Sequence, residues 1–208
     1  MGKLNKIYLI VGESGSGKDS LVNVICDEWK VHKAVSYTTR EPRTDDENDI
    51  GSHNFVTLTD YERDKENRIV IADTFFNGNY YWTTSLQIND CSFYIIDPKG
   101  LKKFINNYCC LLPKEHRREY KVVYIKSKPI DRIKRTYRRE ARDSMSIKDK
   151  LILMKKVLSR FMNDLKEFDG FERRADYVVR NEQGQFNNAS RELDYIVLNE
   201  GFDGVIIN

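Results

Sequence analysis

The sequence predicts an α/β fold in which helices flank a parallel sheet and a small strand-rich insertion interrupts the alternation. An apolar run at residues 7–11 leads into a glycine-rich loop, and apolar residues at helical spacing follow the loop. From residue 91 onward, short apolar runs typical of buried strands alternate with helical segments. This order is expected for parallel strands with crossover helices. Residues 34–88 instead contain several short β-rich segments, which indicates an insertion.

Composition narrows the class of protein. The chain has 208 residues, enough for one core with small appended subdomains. Its 35 basic and 32 acidic residues give a net charge of only +3, so overall charge does not favour a nucleic-acid partner. No apolar stretch approaches the roughly 20 residues of a membrane span, and the N-terminal residues lack the pattern of a signal peptide. We therefore expect a cytoplasmic monomer or homodimer with small-molecule substrates and no membrane or nucleic-acid partner.

The glycine-rich loop GESGSGK at residues 12–18 predicts a phosphate-binding site. Its glycines let the backbone curl so that successive N–H groups face inward, and the following helix adds the positive end of its dipole. The Lys18 ammonium can reach the outer phosphates of a nucleotide such as ATP. The candidate ATP-binding residues of the loop are Gly12, Ser14, Gly15, Ser16, Gly17 and Lys18.

The two residues after the loop depart from the usual pattern. A Ser or Thr that binds magnesium normally follows the lysine, whereas this chain has Asp19 and then Ser20. Ser20 is our candidate ligand for Mg²⁺, and Asp19 can contribute through a water molecule. The alternative is that both residues only stabilise the N-terminus of the helix, where such side chains are favoured.

Two further segments carry arginines. Arg40 and Arg43 flank Pro42, and with the Ser36 hydroxyl they can bind a second phosphate. Taken alone, the pair is better explained as two surface arginines in a solvated loop. Residues 131–142 contain six basic residues in twelve, which is compatible with a solvated helix face, a nucleic-acid patch or a lid. Because phosphoryl transfer needs positive charge on the transferring group, we favour a lid over residues 131–148.

Local signals predict several other elements. Thr59 is the expected N-cap of a short helix at 60–66, and Asn77-Gly78 predicts a hairpin turn between two β-rich runs. Residues 44–51 form an acidic loop. A buried strand ends at Asp97, whose carboxylate either binds a ligand or caps the next helix. Later strands are expected at 121–126 and 176–180, and later helices at about 129–142, 147–168 and 188–200.

Taken together, these motifs resemble the guanylate kinases over nearly the whole chain. The resemblance rests on the loop at 12–18, Ser36-x-x-Thr39-Arg40-x-Pro42-Arg43, residues 53–56, Gly78-Asn79-Tyr80-Tyr81, Asp97-x-x-Gly100, the arginine-rich segment, Arg160, and Asp176-Tyr177 before Asn181. It implies a P-loop NTPase fold that transfers the γ-phosphoryl of ATP, with Mg²⁺, to a nucleoside monophosphate, first of all GMP or dGMP. It also implies a core at 1–33, 89–130 and 149–208, an acceptor-binding insertion at 34–88 and a lid at 131–148.

The resemblance also implies roles for single residues. Arg138 or Arg139, together with Arg160, would act on the transferring phosphoryl group, and Lys18 would hold the donor phosphates. Asn181 falls where the family contacts the adenine of ATP. The acceptor side would include Ser36, Arg40, Arg43 and Tyr81 at the phosphate, His53 in place of a tyrosine, Thr83 at the guanine, and Asp97 as the second of two family aspartates.

The sequence departs from the family pattern at positions that recognise the base in the family. The glutamate that pairs with guanine is replaced by Ala72, and the first family aspartate is replaced by Ile95. Asp73 could replace the glutamate only with a strand register shifted by one, because neighbouring strand residues face opposite sides. Ribose 1,5-bisphosphate phosphokinases are similar to guanylate kinases and share the Gly-Lys-Asp-Ser run and these losses. That activity, or a changed base specificity, is the alternative; a non-catalytic binding module is disfavoured by Lys18 and the arginines.

Overall fold

The computed structural model describes residues 3–42, 51–76 and 78–201. Its strands are β1 (Ile7–Val11), β2 (Lys33–Ala34), β3 (Tyr37–Thr38), β4 (Asn54–Phe55), β5 (Val70–Phe76), β6 (Asn79–Thr84), β7 (Phe93–Ile95), β8 (Tyr120–Lys126) and β9 (Tyr177–Arg180). Its helices are α1 (Lys18–Trp29), α2 (Leu58–Glu66), α3 (Ser85–Asp90), α4 (Pro98–Leu111), α5 (Pro129–Glu140), α6 (Ile147–Glu167) and α7 (Phe186–Gly201), with 3-10 turns at Lys114–His116 and Phe171–Arg174.

A five-stranded sheet with the order β2-β7-β1-β8-β9 confirms the predicted α/β fold. The pairs β2–β7 and β8–β9 are parallel, as the alternation of strands and helices required. All five residues of β1 are buried, which explains why its sequence is a continuous apolar run without polar alternation. Within the described residues, no helix combines the length and the apolar character needed to cross a membrane.

The strand-rich insertion forms a second sheet, with the order β4-β3-β6-β5. β5 and β6 are antiparallel with Phe76 opposite Asn79, which confirms the predicted hairpin; Asn77 itself lies outside the described residues. The buried Trp82 of β6 donates its indole N–H to Asp64 of α2 at 3.0 Å. Tyr61 of α2 contributes further contact, since its ring stacks on Tyr80 at 4.2 Å. These contacts fix α2 against the hairpin.

The chain divides into two compact units, and the boundary falls within β1 between Leu9 and Ile10. Among the described residues, the first unit contains 3–9 and 29–120, and therefore the whole second sheet. The second unit contains 10–28 and 121–201, which include the glycine-rich loop, α5, α6 and α7.

Most predicted elements agree with the structure to within a few residues, but the cap of α2 was assigned wrongly. The N-cap is Thr57 rather than Thr59. The Thr57 hydroxyl accepts the Asp60 N–H, and the Asp60 carboxylate accepts the Thr57 N–H, which makes a reciprocal capping box. This exchange begins the helix at Leu58, so Thr59 lies inside the first turn. The acidic segment 44–50 lies outside the described residues.

The corrected cap makes a direct prediction. Replacing Thr57 with Ala should lower the free energy of unfolding by about 1 kcal/mol, because the Asp60 N–H loses its acceptor. Thr59→Ala is the matched control, and it should leave stability unchanged or slightly raised because alanine is the better helix former. Urea unfolding followed by circular dichroism measures both variants. A larger loss for Thr59→Ala would contradict the assignment of the cap.

Candidate active site

The glycine-rich loop lies between β1 and α1 in the second unit. Gly15 and Gly17 have φ values of +76° and +85°, in the left-handed region that favours glycine. A side chain would also collide there: a Cβ at Gly15 would lie 2.6 Å from the Arg132 carbonyl oxygen, and one at Gly17 would lie 2.3 Å from Asn181 Nδ2. Both backbone conformation and packing therefore require these glycines.

Hydrogen bonding within the loop determines which N–H groups remain for a phosphate. The Ser16 N–H donates to the Glu13 carbonyl at 3.1 Å, and the Ser14 N–H donates to Asp164 Oδ2 at 2.9 Å. Ser14 therefore directs its N–H to the protein rather than to a ligand. Among the described residues, the N–H groups of Gly15, Gly17 and Lys18 have no partner. These donors stand at the N-terminus of α1, where the helix dipole favours an anion.

A buried arginine, Arg132 of α5, holds the first half of the loop. Its side chain is 2% exposed; Nη1 lies 3.1 Å from Glu13 Oε1, and Nη2 lies 2.5 Å from Asp164 Oδ2. Its Nε donates to the Ser14 carbonyl at 3.1 Å. The guanidinium also lies over the Phe161 ring, 5.2 Å from the centroid. One side chain therefore joins the loop to α5 and α6, a role that no local spacing in the sequence reveals.

Asn181 and Arg135 hold the second half of the loop. Asn181 is buried and donates its side-chain N–H to the Ser16 carbonyl at 2.8 Å. Arg135 donates to the Asn181 carbonyl at 3.0 Å and more weakly to the carbonyls of Gly15 and Ser16, at 3.4 and 3.3 Å. The Asn181 amide group thus fastens the loop, while its buried Oδ1 has no partner among the described residues.

A cavity of about 320 Å³ adjoins this end of the loop. It is lined by Gly17, Ser20, Asp131, Lys134, Arg135, Arg138, Asn181, Glu182, Gln183, Gly184 and Phe186. Arg138 belongs to this lining and Arg139 does not. The structure thus distinguishes the two arginines, between which the sequence left the choice open. Ser20 is exposed on the first turn of α1 and can reach a ligand here.

Arg139 and Arg160 are held by a carboxylate outside that cavity. Arg160 Nη1 lies 2.5 Å from Glu140 Oε1, and Arg139 Nη2 lies 3.7 Å from the same oxygen. Lys156 adds a third positive charge at 3.3 Å from Glu140 Oε2. Burial alone would raise the pKa of Glu140, but Arg160 and Lys156 outweigh it and lower that pKa below its usual value. The negative charge of Glu140 therefore compensates the positive charge of Arg160 in this conformation.

A separate cavity of about 140 Å³ lies in the first unit. It is lined by Ser36, His53, Ala72, Asp73, Thr74, Tyr81, Tyr94, Ile95, Ile96, Asp97 and Gly100. Five residues predicted to bind the acceptor therefore line one cavity, namely Ser36, His53, Asp73, Tyr81 and Asp97. Thr83 lies behind this lining, fully buried, with its Oγ1 3.0 Å from Ser36 Oγ.

The two predicted arginines of the acceptor side are not part of this lining. Arg40 Nη1 donates to the Glu41 carbonyl at 2.9 Å, and its guanidinium lies 5.1 Å from the centroid of the Phe55 ring. Arg43 lies outside the described residues. Its predicted role, and that of Arg40, stay predictions.

The two carboxylates that line the cavity of the first unit, Asp73 and Asp97, are already hydrogen-bonded within the protein. Asp97 caps α4, since its Oδ1 accepts the N–H groups of Lys99 and Gly100 at 2.9 and 2.8 Å. Its Oδ2 accepts the Thr74 hydroxyl at 2.8 Å. Asp97 therefore acts as a helix cap, which is one of its two predicted roles, and it also lines the cavity.

Asp73 is fixed from both sides. Its Oδ1 lies 2.7 Å from Lys103 Nζ, and its Oδ2 accepts the Tyr61 hydroxyl at 2.7 Å. Burial alone would raise the pKa of Asp73, but these two hydrogen bonds lower it overall. In the hairpin, Asp73 is opposite Trp82 and Ala72 is opposite Thr83, with an irregularity between Val70 and Ala72. Ala72 is 1% exposed, so the position that lost the glutamate is a small apolar patch on the cavity wall.

Tyr94 of β7 was not among the predicted site residues. Its side chain lines the cavity and is 4% exposed, and burial raises the pKa of Tyr94 well above its usual value. The phenol is therefore neutral and can both donate and accept a hydrogen bond. The sequence showed Tyr94 only as one position in a buried strand, because the other residues that line the cavity come from distant segments of the chain.

The fold and the glycine-rich loop define a P-loop NTPase-like protein, and comparisons with known proteins give its relatives. A family model described as guanylate kinase matches residues 4–97. Guanylate kinase from Fusobacterium nucleatum is 22% identical over 86% of this chain and 90% of that protein. Guanylate kinase from Paraburkholderia xenovorans is 32% identical over 40% of this chain and 37% of that protein. The chain is thus similar to the guanylate kinases, most clearly over residues 4–97.

A solved structure shows the same fold. The crystal structure of guanylate kinase from Anaplasma phagocytophilum superposes with a TM-score of 0.56 at 18% identity. The match covers 98% of this chain and 90% of that one, so the shared fold extends over almost the whole molecule.

The buried arginine generates a stability prediction. Arg132→Met should lower the free energy of unfolding by about 3 kcal/mol, because the buried Glu13 and the half-buried Asp164 would lose their partner. Arg138→Met removes an exposed arginine of the same helix and should change stability by less than about 0.5 kcal/mol. Urea unfolding of both variants measures the difference. Equal effects would contradict the bridging role of Arg132.

Proposed function

We propose that this chain transfers the γ-phosphoryl group of ATP to GMP or dGMP and releases ADP with GDP or dGDP. Its similarity to guanylate kinases and its fold support the activity of a nucleoside monophosphate kinase of the guanylate kinase type. The observation that carries the proposal is the loop with the free N–H groups of Gly15, Gly17 and Lys18 beside a cavity lined by Arg135 and Arg138. Such an arrangement binds a polyphosphate and places positive charge on it.

On the donor side, Lys18 and the free N–H groups bind the β- and γ-phosphates. Arg138 reaches them from the cavity wall and stabilises charge on the transferring group, and Asn181 borders the space left for the adenine. No covalent intermediate is needed, because catalysis consists of positioning and charge neutralisation.

The residues around Ser20 suit a magnesium ion that is bound mainly through the nucleotide. Among the described residues, no group of three or more His, Cys, Asp or Glu side chains comes together to hold a metal. Mg²⁺ commonly keeps several waters and takes few protein ligands beside substrate phosphates. The Ser20 hydroxyl and, through water, Asp19 would hold it, and the ion would supply charge neutralisation for the phosphates.

On the acceptor side, the insertion at 34–88 contributes the substrate cavity. Tyr81, His53 and Ser36 lie on its wall and bind the acceptor phosphate, with Arg40 and Arg43 completing the positive charge. Asp97, Thr83 and Asp73 belong to the side that faces the base. The segment 131–148 acts as the lid, and we assign the enzyme to the cytoplasm.

The first test measures ADP release by the purified chain with Mg-ATP and each acceptor. GMP and dGMP should support turnover, and Lys18→Ala should lower kcat by about 10³-fold or more, since the donor phosphates lose their main point charge. Lys166→Ala removes an exposed lysine of α6 outside the lid and should retain the parent rate. Near-parent turnover of Lys18→Ala would contradict the phosphate-loop assignment, and turnover confined to ribose 1,5-bisphosphate would contradict the acceptor.

The lid arginines give a second test. Arg138→Ala should lower kcat more than Arg139→Ala, by at least about tenfold, because only Arg138 lines the donor cavity while Arg139 is near Glu140. Initial rates at saturating Mg-ATP and GMP compare the two variants directly. A larger loss for Arg139→Ala would contradict the assignment.

A further inference from the structure

The Ser16–Gly17 peptide group of the glycine-rich loop is fixed on its carbonyl side. The Ser16 carbonyl oxygen accepts a hydrogen bond from Asn181 Nδ2 at 2.8 Å and another from Arg135 Nη1 at 3.3 Å. The N–H of the same peptide group belongs to Gly17, and among the described residues it has no partner. A trans peptide group is planar, with its C=O and N–H pointing in opposite directions. Fixing the carbonyl therefore turns the Gly17 N–H away from Asn181 and Arg135.

Asn181 is held in turn by Arg135 and Ser127. Its carbonyl accepts Arg135 Nη2 at 3.0 Å and also accepts the Ser127 hydroxyl. Arg135 Nη1 donates to Ser127 Oγ at 3.3 Å. The strands β8 and β9 pair in parallel, so the residue that follows each strand lies at the same edge of the sheet, and this brings Ser127 beside Asn181. We call Ser127, Arg135 and Asn181 the carbonyl clamp.

The loop needs this support because its own residues leave the peptide group free to turn. Gly15 and Gly17 both have positive φ values, and glycine adopts positive and negative φ about equally readily. Local sterics therefore do not decide the direction of the Gly17 N–H. The carbonyl clamp decides it, and two of its members belong to the packed interior, since Ser127 is 5% exposed and Asn181 is 1% exposed.

On the donor side of the proposed function as its basis, we infer that Ser127 and Arg135 are positioning residues that direct the Gly17 N–H at the β-phosphate of the donor nucleotide. They act through Asn181 and through the Ser16–Gly17 peptide group. The bond from the guanidinium to the Ser16 carbonyl also polarises this peptide group, which strengthens its N–H as a donor. Ser127 thus contributes to phosphate binding although it lies outside the glycine-rich loop.

Ser127→Ala provides the sharpest test, because it removes one hydroxyl and no charge. The calorimetric Kd of the complete chain should rise by about 3–10-fold for Mg-ATP and by the same factor for tripolyphosphate. Tripolyphosphate carries the phosphates of ATP without its base, so an equal rise locates the effect at the phosphates rather than at the adenine. Ser159→Ala is the matched control, since it removes an exposed hydroxyl of α6 and should leave both Kd values unchanged. Parent-like Kd values for both ligands, a rise for Mg-ATP alone, or no binding of tripolyphosphate to the parent chain would overturn the inference.

Arg135→Lys tests the second residue and suffices by itself if Ser127→Ala does not fold. Lysine keeps the positive charge but lacks the planar fork that holds two carbonyls and a hydroxyl together. Both Kd values should therefore rise by about tenfold or more, whereas Arg191→Lys, at an exposed arginine of α7, should leave them unchanged. In ¹H–¹⁵N spectra of the ligand-free protein, Ser127→Ala and Arg135→Lys should each shift the Gly17 amide resonance, which a general loss of stability would not do. Parent-like Kd values for Arg135→Lys would show that charge alone matters and would overturn the inference.

The outcomes also separate this inference from the function on which it rests. Transfer to GMP together with parent-like Kd values in both variants would retain the proposed function and overturn the inference. Absence of transfer to every nucleoside monophosphate would overturn the proposed function, while the Kd values for Mg-ATP and tripolyphosphate would still decide the inference. KM for GMP should be unchanged in Ser127→Ala, because the members of the clamp belong to the second unit and the predicted acceptor residues to the first.

Discussion

The donor half of this protein depends on keeping a short loop in a backbone conformation that an isolated peptide would not hold. Two glycines adopt positive φ values and pack so closely against Arg132 and Asn181 that a methyl group would not fit. The loop carbonyls are then bound from one side by Arg132 and from the other by Asn181 and Arg135. This leaves N–H groups at the α1 N-terminus unpaired within the described residues, and unpaired donors beside a helix dipole attract phosphate.

The support of the loop is electrostatic as well as steric. Arg132 is almost completely buried between two carboxylates, so each of these charges is acceptable only because the others are present. Its planar guanidinium can contact Glu13, Asp164 and the Ser14 carbonyl at once, which a lysine ammonium would not reproduce. Because Asp164 belongs to α6 and also accepts the Ser14 N–H, the position of α6 and the geometry of the loop are physically linked.

The acceptor half uses its charged groups differently. Its carboxylates stabilise the scaffold: Asp97 caps α4 and binds Thr74, and Asp73 joins the hairpin to α2 and α4. The groups left on the cavity wall are mostly neutral donors and acceptors.

The sequence by itself determined those features that depend on neighbours along the chain. The strand–loop–helix order around residues 7–29 and the Asn-Gly hairpin before β6 follow from local patterns, since backbone conformation responds first to adjacent residues. Even here the predicted N-cap of α2 was wrong by two positions, because Thr57 rather than Thr59 exchanges hydrogen bonds with Asp60. Only the tertiary structure decided that Arg132 binds Glu13 and Asp164, that Arg138 rather than Arg139 lines the cavity beside the glycine-rich loop, and that Tyr94 lies on the wall of the second cavity with Ser36. Those partners lie far apart in the chain, and only packing determines which distant groups meet.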